Sequence, residues 1–171
     1  IIPTRNEAPR IEACIASFRP AVAQGTVEVI VVDNSSSDGT ADRASAAGAR
    51  VLIQGPERSA QRNRGAREAR GEYLFFVDAD MRVPASTLDE ILSRIGRPDA
   101  PDALYVRERM VGRGFWVAVR NFERSFYDAT CLDGLRVIRR ELFFKVGGYD
   151  ERLYAGEDWD LDRRLLAAGA R

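Results

Sequence analysis

The feature that most limits the fold is an alternation of short apolar runs with longer amphipathic stretches. The runs "II" (1–2), "VEVIVV" (27–32), "RVLI" (50–53) and "YLFFV" (73–77) are brief and rich in β-branched or aromatic residues. Runs of that length and make-up form buried strands. Between them the apolar spacing changes to that of helices. Ile11, Cys14, Ile15 and Phe18 share one face over 9–18, and Leu88, Ile91, Leu92 and Ile95 share one over 84–95. Two more helices are predicted over 40–47, which Asp38 or Thr40 can cap, and over 58–69. Residues 102–108 read as a strand, 112–128 as a helix, and 158–168 as a last helix closed by Gly169. Strands that alternate with helices make an α/β sheet of parallel strands. Neither a linker nor an internal repeat interrupts the 171 residues, so one domain is expected.

In open α/β sheets ligands bind beyond the carboxyl ends of the strands. The polar residues just after each run are therefore the ones to inspect. They are Thr4, Arg5, Asn6 and Glu7 after the first strand, Asp33 and Asn34 after the second, and Asp78 and Asp80 after the fourth. Asp78-Ala79-Asp80 has two readings. It can be a turn, since Asp tolerates bends and caps the next segment. It can also be a pair of hard oxygen ligands, because Mg²⁺ or Mn²⁺ is held by one or two carboxylates plus the phosphates of a substrate. A cation between them relieves two like charges at the end of a buried strand.

Two further clusters stand out. "ERSAQRNRGAREARG" (57–71) carries five arginines, most of which read as a solvated helix face. Arg62 and Asn63 differ, because they fall early in their helix, where an anion approaches its N-terminus. "GEDWDLDRRLL" (156–166) holds four carboxylates in six residues, more than capping requires. Asp158 and Asp162 share a face there, Trp159 can wall a pocket, and a carboxylate can act as general base toward a hydroxyl. In 110–130, Phe115, Val119, Phe122 and Phe126 form one apolar face, read first as core-facing. The interleaved Arg113, Arg120 and Arg124 leave an interfacial role as the second reading.

Composition removes several classes of function. Lys+Arg and Asp+Glu both total 26, and a neutral chain lacks the basic excess of a nucleic-acid binder. Without histidine there is no Ser-His-Asp chemistry, His-ligated zinc or His base in these residues. Cys14 and Cys131 are far apart and form no CxxC site, which suits a reducing, cytoplasmic setting. The sequence opens inside a strand and closes on "AAGAR", the pentapeptide that leads into a strand at 46–50, so it reads as truncated at both ends.

The segments "IIPTRNE", "VEVIVVDNSSSDGT", "RSAQRNRGAREARGEYLFFVDADM" and "VGGYDERLYAGEDWDLDRRLLAAG" resemble, in order and spacing, the nucleotide-diphospho-sugar transferases of the GT-A fold, and among them glycosyltransferase family 2. The resemblance implies a Rossmann-like α/β/α architecture with a mostly parallel central sheet, and a catalytic domain over 1–171. It implies an inverting hexosyltransferase that moves a sugar from a UDP- or GDP-linked donor to a saccharide or lipid-linked acceptor. Pro3, Thr4, Arg5 and Glu7 would form the first nucleotide-contacting loop, Asp33 would face the base, and Arg62 would lie near the base or diphosphate. Asp78 would reach the ribose or the metal, and Asp80 would be the main ligand of Mn²⁺ or Mg²⁺. Asp158 would be the catalytic base, with Glu157 positioning the acceptor. The cytoplasmic face of a membrane, with peripheral association, is the implied setting. A sugar nucleotidyltransferase is the rival, but "PTRNEAPR" lacks the Gly-rich loop expected after its first strand. A non-catalytic nucleotide-sugar-binding module is the other alternative.

Overall fold

The computed structural model describes residues 1–124, 126 and 135–171. The first half runs β1 (Ile2–Thr4), α1 (Ile11–Ala16), α2 (Arg19–Ala23), β2 (Ile30–Asp33), α3 (Thr40–Ala46), β3 (Arg50–Ile53) and α4 (Arg58–Glu68). There follow β4 (Tyr73–Phe76), α5 (Ala85–Ile95), β5 (Ala103–Val106), α6 (Phe115–Arg124), β6 (Leu135–Arg139), α7 (Arg140–Lys145) and α8 (Glu157–Ala167).

β1, β2 and β3 form a parallel ladder, with Ile2 opposite Val31 and Val31 opposite Val51. β6 pairs antiparallel with both β4 and β5, with Leu74 opposite Ile138 and Leu104 opposite Val137. Ile1 joins the two ladders. Its nitrogen donates to the Phe75 carbonyl at 2.7 Å, and its own carbonyl accepts from Val77 N–H at 3.1 Å. That alternation is the pattern of a parallel pair, so the strands follow one another as β3-β2-β1-β4-β6-β5. Among the described strands β6 alone runs against the rest, and the sheet is mostly parallel as expected.

Both faces of the sheet are covered, which period-2 alternation makes visible. Val31 and Val77 enter one core with Ile11, Cys14, Ile15 and Phe18 of the α1 region and Leu88 of α5. Ile30, Val32, Leu74 and Phe76 enter the other with Ala66 of α4, Phe143 of α7, and Leu161 and Leu165 of α8. Each fully buried Leu, Ile or Phe contributes about 1.5–3 kcal/mol. α4 approaches the sheet closely because residue 65 is glycine. A Cβ there would lie 2.4 Å from Cγ2 of Ile1 and 3.1 Å from Cγ2 of Val32.

Three expectations are corrected. The helix expected over 9–18 is shorter, α1 at Ile11–Ala16, and a further short helix, α2, lies beyond it at Arg19–Ala23. β6 and α7 lie where no element was expected, because Arg136 and Arg139 break up the apolar run of "LRVIR". The apolar face of α6 does not enter the core, since Phe115, Trp116, Val119 and Phe122 are all exposed. Residues 125, 127 and 128 of the helix expected there, and Cys131, lie outside the described residues. Cys14 is buried, and burial pushes its thiol up to about 12.

Candidate functional site

Since β1, β2 and β4 lie side by side and parallel, the residues after them share one rim. A cleft of about 260 Å³ opens there. Pro3, Thr4, Arg5 and Glu7 line it from the loop after β1, Arg58 and Gln61 from α4, and Asp78 and Asp80 from the end of β4. Asp80 is exposed. Glu7 keeps a surface ion pair with Arg10 at 2.9 Å. Gln61, which no sequence signal singles out, ties the rim together by donating to the carbonyls of Thr4 at 3.0 Å and Val32 at 2.6 Å. The buried hydroxyl of Thr4 has no hydrogen-bond partner among the described residues.

Arg62 is the hub of the site. One guanidinium nitrogen lies 3.4 Å from Glu157 and 3.4 Å from Asp158, and the other lies 3.4 Å from Asp78. Its side chain is only 5% exposed, and its guanidinium lies over the ring of Tyr149 at 5.0 Å. Burial disfavours its charge, but the fields of Tyr149, Asp158, Asp78 and Glu157 outweigh that and raise its pKa above the ordinary value. Asn63 builds this arrangement from the next position. It donates to the Tyr149 carbonyl and to Glu151, both at 2.8 Å, and accepts from Tyr149 N–H at 2.9 Å. The Arg-Asn pair thus fixes both the cation and the ring beneath it.

Asp158 has a second buried arginine, one that the sequence alone does not reveal. Arg136 of β6 donates to its Oδ1 at 2.8 Å and to its backbone carbonyl at 3.2 Å, and lies near the Tyr105 ring of β5 at 5.9 Å. Gly156 starts α8 in the left-handed region (φ 77°), which turns Glu157 and Asp158 toward Arg62. Asp160 is spoken for by Arg163 and Arg164 at 3.0 and 2.7 Å. Trp159 is exposed and lines neither this cleft nor the neighbouring one of about 310 Å³ between α4 and the loop before α8.

Asp33 stands slightly apart. It is buried, and its carboxylate accepts from Ser36 N–H at 2.8 Å and from the Ser36 hydroxyl at 2.5 Å. It does not line the cleft. Asn6, Ser36 and Ser37 interlock, and Glu7 N–H donates to the Thr40 hydroxyl at 2.8 Å, so the loops after β1 and β2 form one unit. Within it Asn6 (φ 54°) and Ser35 (φ 48°) hold left-handed backbone, uncommon outside glycine.

Among the described residues no three carboxylate, His or Cys groups gather closely enough to hold a metal alone. Asp78 and Asp80 offer hard oxygen donors beside an open cleft. That set suits a Mg²⁺ or Mn²⁺ ion that arrives with phosphates and takes only one or two carboxylates from the protein.

Residues 1–148 match the family described as "Glycosyl transferase family 2". The chain belongs to glycosyltransferase family 2. The family match covers the β1 and β2 loops, Arg62, Asp78 and Asp80, and ends before Glu157 and Asp158. The succinoglycan biosynthesis protein ExoA of Rhizobium meliloti is 31% identical over 100% of this chain and 58% of its own length. The chain thus spans a little over half of that relative. Its fold is shared with the mannosyltransferase PcManGT of Pyrobaculum calidifontis, solved with GDP-Man and Mn²⁺. The TM-score is 0.77 at 24% identity, over 99% of this chain and 52% of that one. It is also shared with the glucosyl-3-phosphoglycerate synthase of Mycobacterium tuberculosis, solved with Mn²⁺, UDP and phosphoglyceric acid. There the TM-score is 0.65 at 24% identity, over 83% of this chain and 55% of that one.

Proposed function

We propose that this glycosyltransferase family 2 domain moves a sugar from a UDP- or GDP-linked donor to an acceptor hydroxyl, saccharide or lipid-linked, with inversion at the anomeric carbon. The observation that carries this is the position of Arg62, within 3.4 Å of Asp78 on the donor rim and of both Glu157 and Asp158 at the start of α8. One guanidinium thus spans the two acidic groups that a donor and an acceptor each need. The nucleotide and Mn²⁺ bound in each of the two structural relatives are consistent with this reading.

Pro3, Thr4, Arg5 and Glu7 take the nucleotide in the cleft, and the partnerless Thr4 hydroxyl is a ready donor toward it. Asp33 faces the base, which requires Ser36 to yield one of its two bonds. Asp80 and Asp78 would hold Mn²⁺ or Mg²⁺, which would supply positive charge beside the diphosphate. Arg62 adds a fixed positive charge at the same place. Glu157 orients the acceptor. Asp158 takes the hydroxyl proton. Arg136 and Arg62 both engage its Oδ1, which leaves Oδ2 for the acceptor.

Donor turnover tests the reading. UDP- and GDP-sugars are incubated with the chain and Mn²⁺, and free nucleotide is measured. Asp158→Asn is expected to keep nucleotide binding while turnover falls about 10²- to 10⁴-fold, the usual share of a general base. Turnover unchanged in that variant would reject Asp158 as the base.

A further inference from the structure

Gln61 holds the rim of the cleft together with only half of its amide. It is 4% exposed, and its nitrogen donates to the Thr4 carbonyl at 3.0 Å and to the Val32 carbonyl at 2.6 Å. Both amide protons are committed, at the ends of two neighbouring parallel strands. A flipped amide would set its oxygen against two carbonyl oxygens, so the orientation is fixed. The Gln61 Oε1 accepts no hydrogen bond among the described residues, and Gln61 lines the cleft. What it presents there is an acceptor. Beside it stands Thr4, whose buried hydroxyl also lacks a partner among the described residues.

The chemistry of a nucleoside diphosphate decides which of its parts meets this acceptor. Phosphate oxygens beside a cation are ionised and offer no proton, so they repel a carbonyl oxygen. A nucleoside carries donors, namely the ring N–H of uracil or guanine and the hydroxyls of ribose. Arg5 and Arg58 line the same cleft without an ion pair among the described residues, which leaves them for the phosphates. Asp78 and Asp80 meet phosphates only through a cation.

We infer that Gln61 is a specificity residue that accepts a hydrogen bond from the nucleoside of the sugar donor, from a ring N–H or a ribose hydroxyl. The Thr4 hydroxyl supplies the complementary proton. This role presupposes the nucleotide site proposed above and gives it a direction, nucleoside toward Gln61 and diphosphate toward Asp78 and Asp80. Once a nucleotide fills the cleft, water no longer reaches the Gln61 oxygen. A ligand without the matching proton then leaves that oxygen unpaired and is penalised.

The test is a cycle between ligand and side chain, read as dissociation constants by calorimetry with Mn²⁺. UDP and GDP are compared with 3-deaza-UDP and 1-deaza-GDP, in which the ring N–H is a C–H, and with their 2′-deoxy and 3′-deoxy forms. For the nucleotide that binds, one of these changes is expected to weaken binding to the parent about 5- to 150-fold, the cost of an unpaired acceptor. A deaza penalty assigns the proton to the base, and a deoxy penalty assigns it to the ribose. In Gln61→Met and Gln61→Leu, each checked for native circular dichroism, that penalty is expected to vanish because the acceptor is gone. A Gln61 that only braces the rim would weaken every ligand alike and leave the ratio unchanged, which overturns the inference. Analogues that bind the parent as well as UDP and GDP do overturn it without any variant. A changed Mn²⁺ dependence with an unchanged ratio overturns it in favour of a cation ligand. Failure of both UDP and GDP to bind the parent defeats the nucleotide site itself, and the inference with it.

Discussion

Arg136 reaches Asp158 twice, with 2.8 Å to the carboxylate Oδ1 and 3.2 Å to the backbone carbonyl of the same residue. Since both acceptors belong to one residue, the contact sets the side-chain direction and the position of the first turn of α8 together. The bond crosses from β6 to α8 with the guanidinium almost completely buried, so water does not compete for its donors.

Arg136→Met is therefore expected to misplace Asp158 more than to weaken donor binding. Steady-state kinetics should show kcat down by about 10- to 100-fold, the worth of a charge-assisted hydrogen bond, with the donor KM changed far less. Both bonds leave one guanidinium nitrogen, so Arg136→Lys, whose ammonium also carries several donors, should recover part of the loss. A loss confined to KM would contradict a positioning role.

Arg62→Met removes the cation shared by Asp78, Glu157 and Asp158. Two of these carboxylates are about one-third exposed and can rehydrate, so the loss should fall below that of a fully buried pair, at about 1–3 kcal/mol. Urea unfolding measures it directly. A variant as stable as the parent would mean that the three contacts are made without net gain.

Gly65→Ala tests the packing of α4. The added Cβ meets Cγ2 of Ile1 at 2.4 Å and Cγ2 of Val32 at 3.1 Å, and a methyl group forced into a filled core costs about 1–3 kcal/mol. Since alanine is the better helix former, a stabilised variant would show that α4 can lift from the sheet at little cost.

Burial raises the Asp162 carboxyl above its ordinary value. A raised folded-state pKa favours the protonated native form. That contribution is present below the unfolded-state value of about 3.9, and it is lost as pH rises through the folded value. At neutral pH the ionised Asp162 thus reduces stability. Asp162→Asn is expected to raise Tm by about 1–3 °C at pH near 7 and to change it little at pH near 3. An equal shift at both values would rule out titration as the cause.

Much of the fold is legible because its strands are short, β-rich and bounded by turn residues, and the unbroken apolar runs of β2 and β4 are those of strands with a core on each face. The rim is legible for the same reason, since polar residues that end apolar runs must gather where parallel strands end. Arg136 is not, because an arginine inside "LRVIR" reads as a solvated alternation. It is buried because β6 lies inside the sheet with α8 across that face. Gln61 is hidden in an arginine-rich helix, and its role depends on two carbonyls far off in sequence. The periodicity of α6 specifies an apolar face but not what covers it, which is why a core-facing helix is expected and an exposed one is found.

The central claim is that the Asp78-Ala79-Asp80 rim binds a nucleoside diphosphate together with a divalent cation. Calorimetric titration of UDP and of GDP, with Mn²⁺ and with chelator, into the parent and Asp80→Ala tests it most directly. At least one diphosphate is expected to bind only with Mn²⁺, and the substitution to weaken it by about two orders of magnitude, as the loss of a charged ligand implies. Failure of both diphosphates to bind under any metal condition, or binding that ignores both the chelator and the substitution, would contradict it.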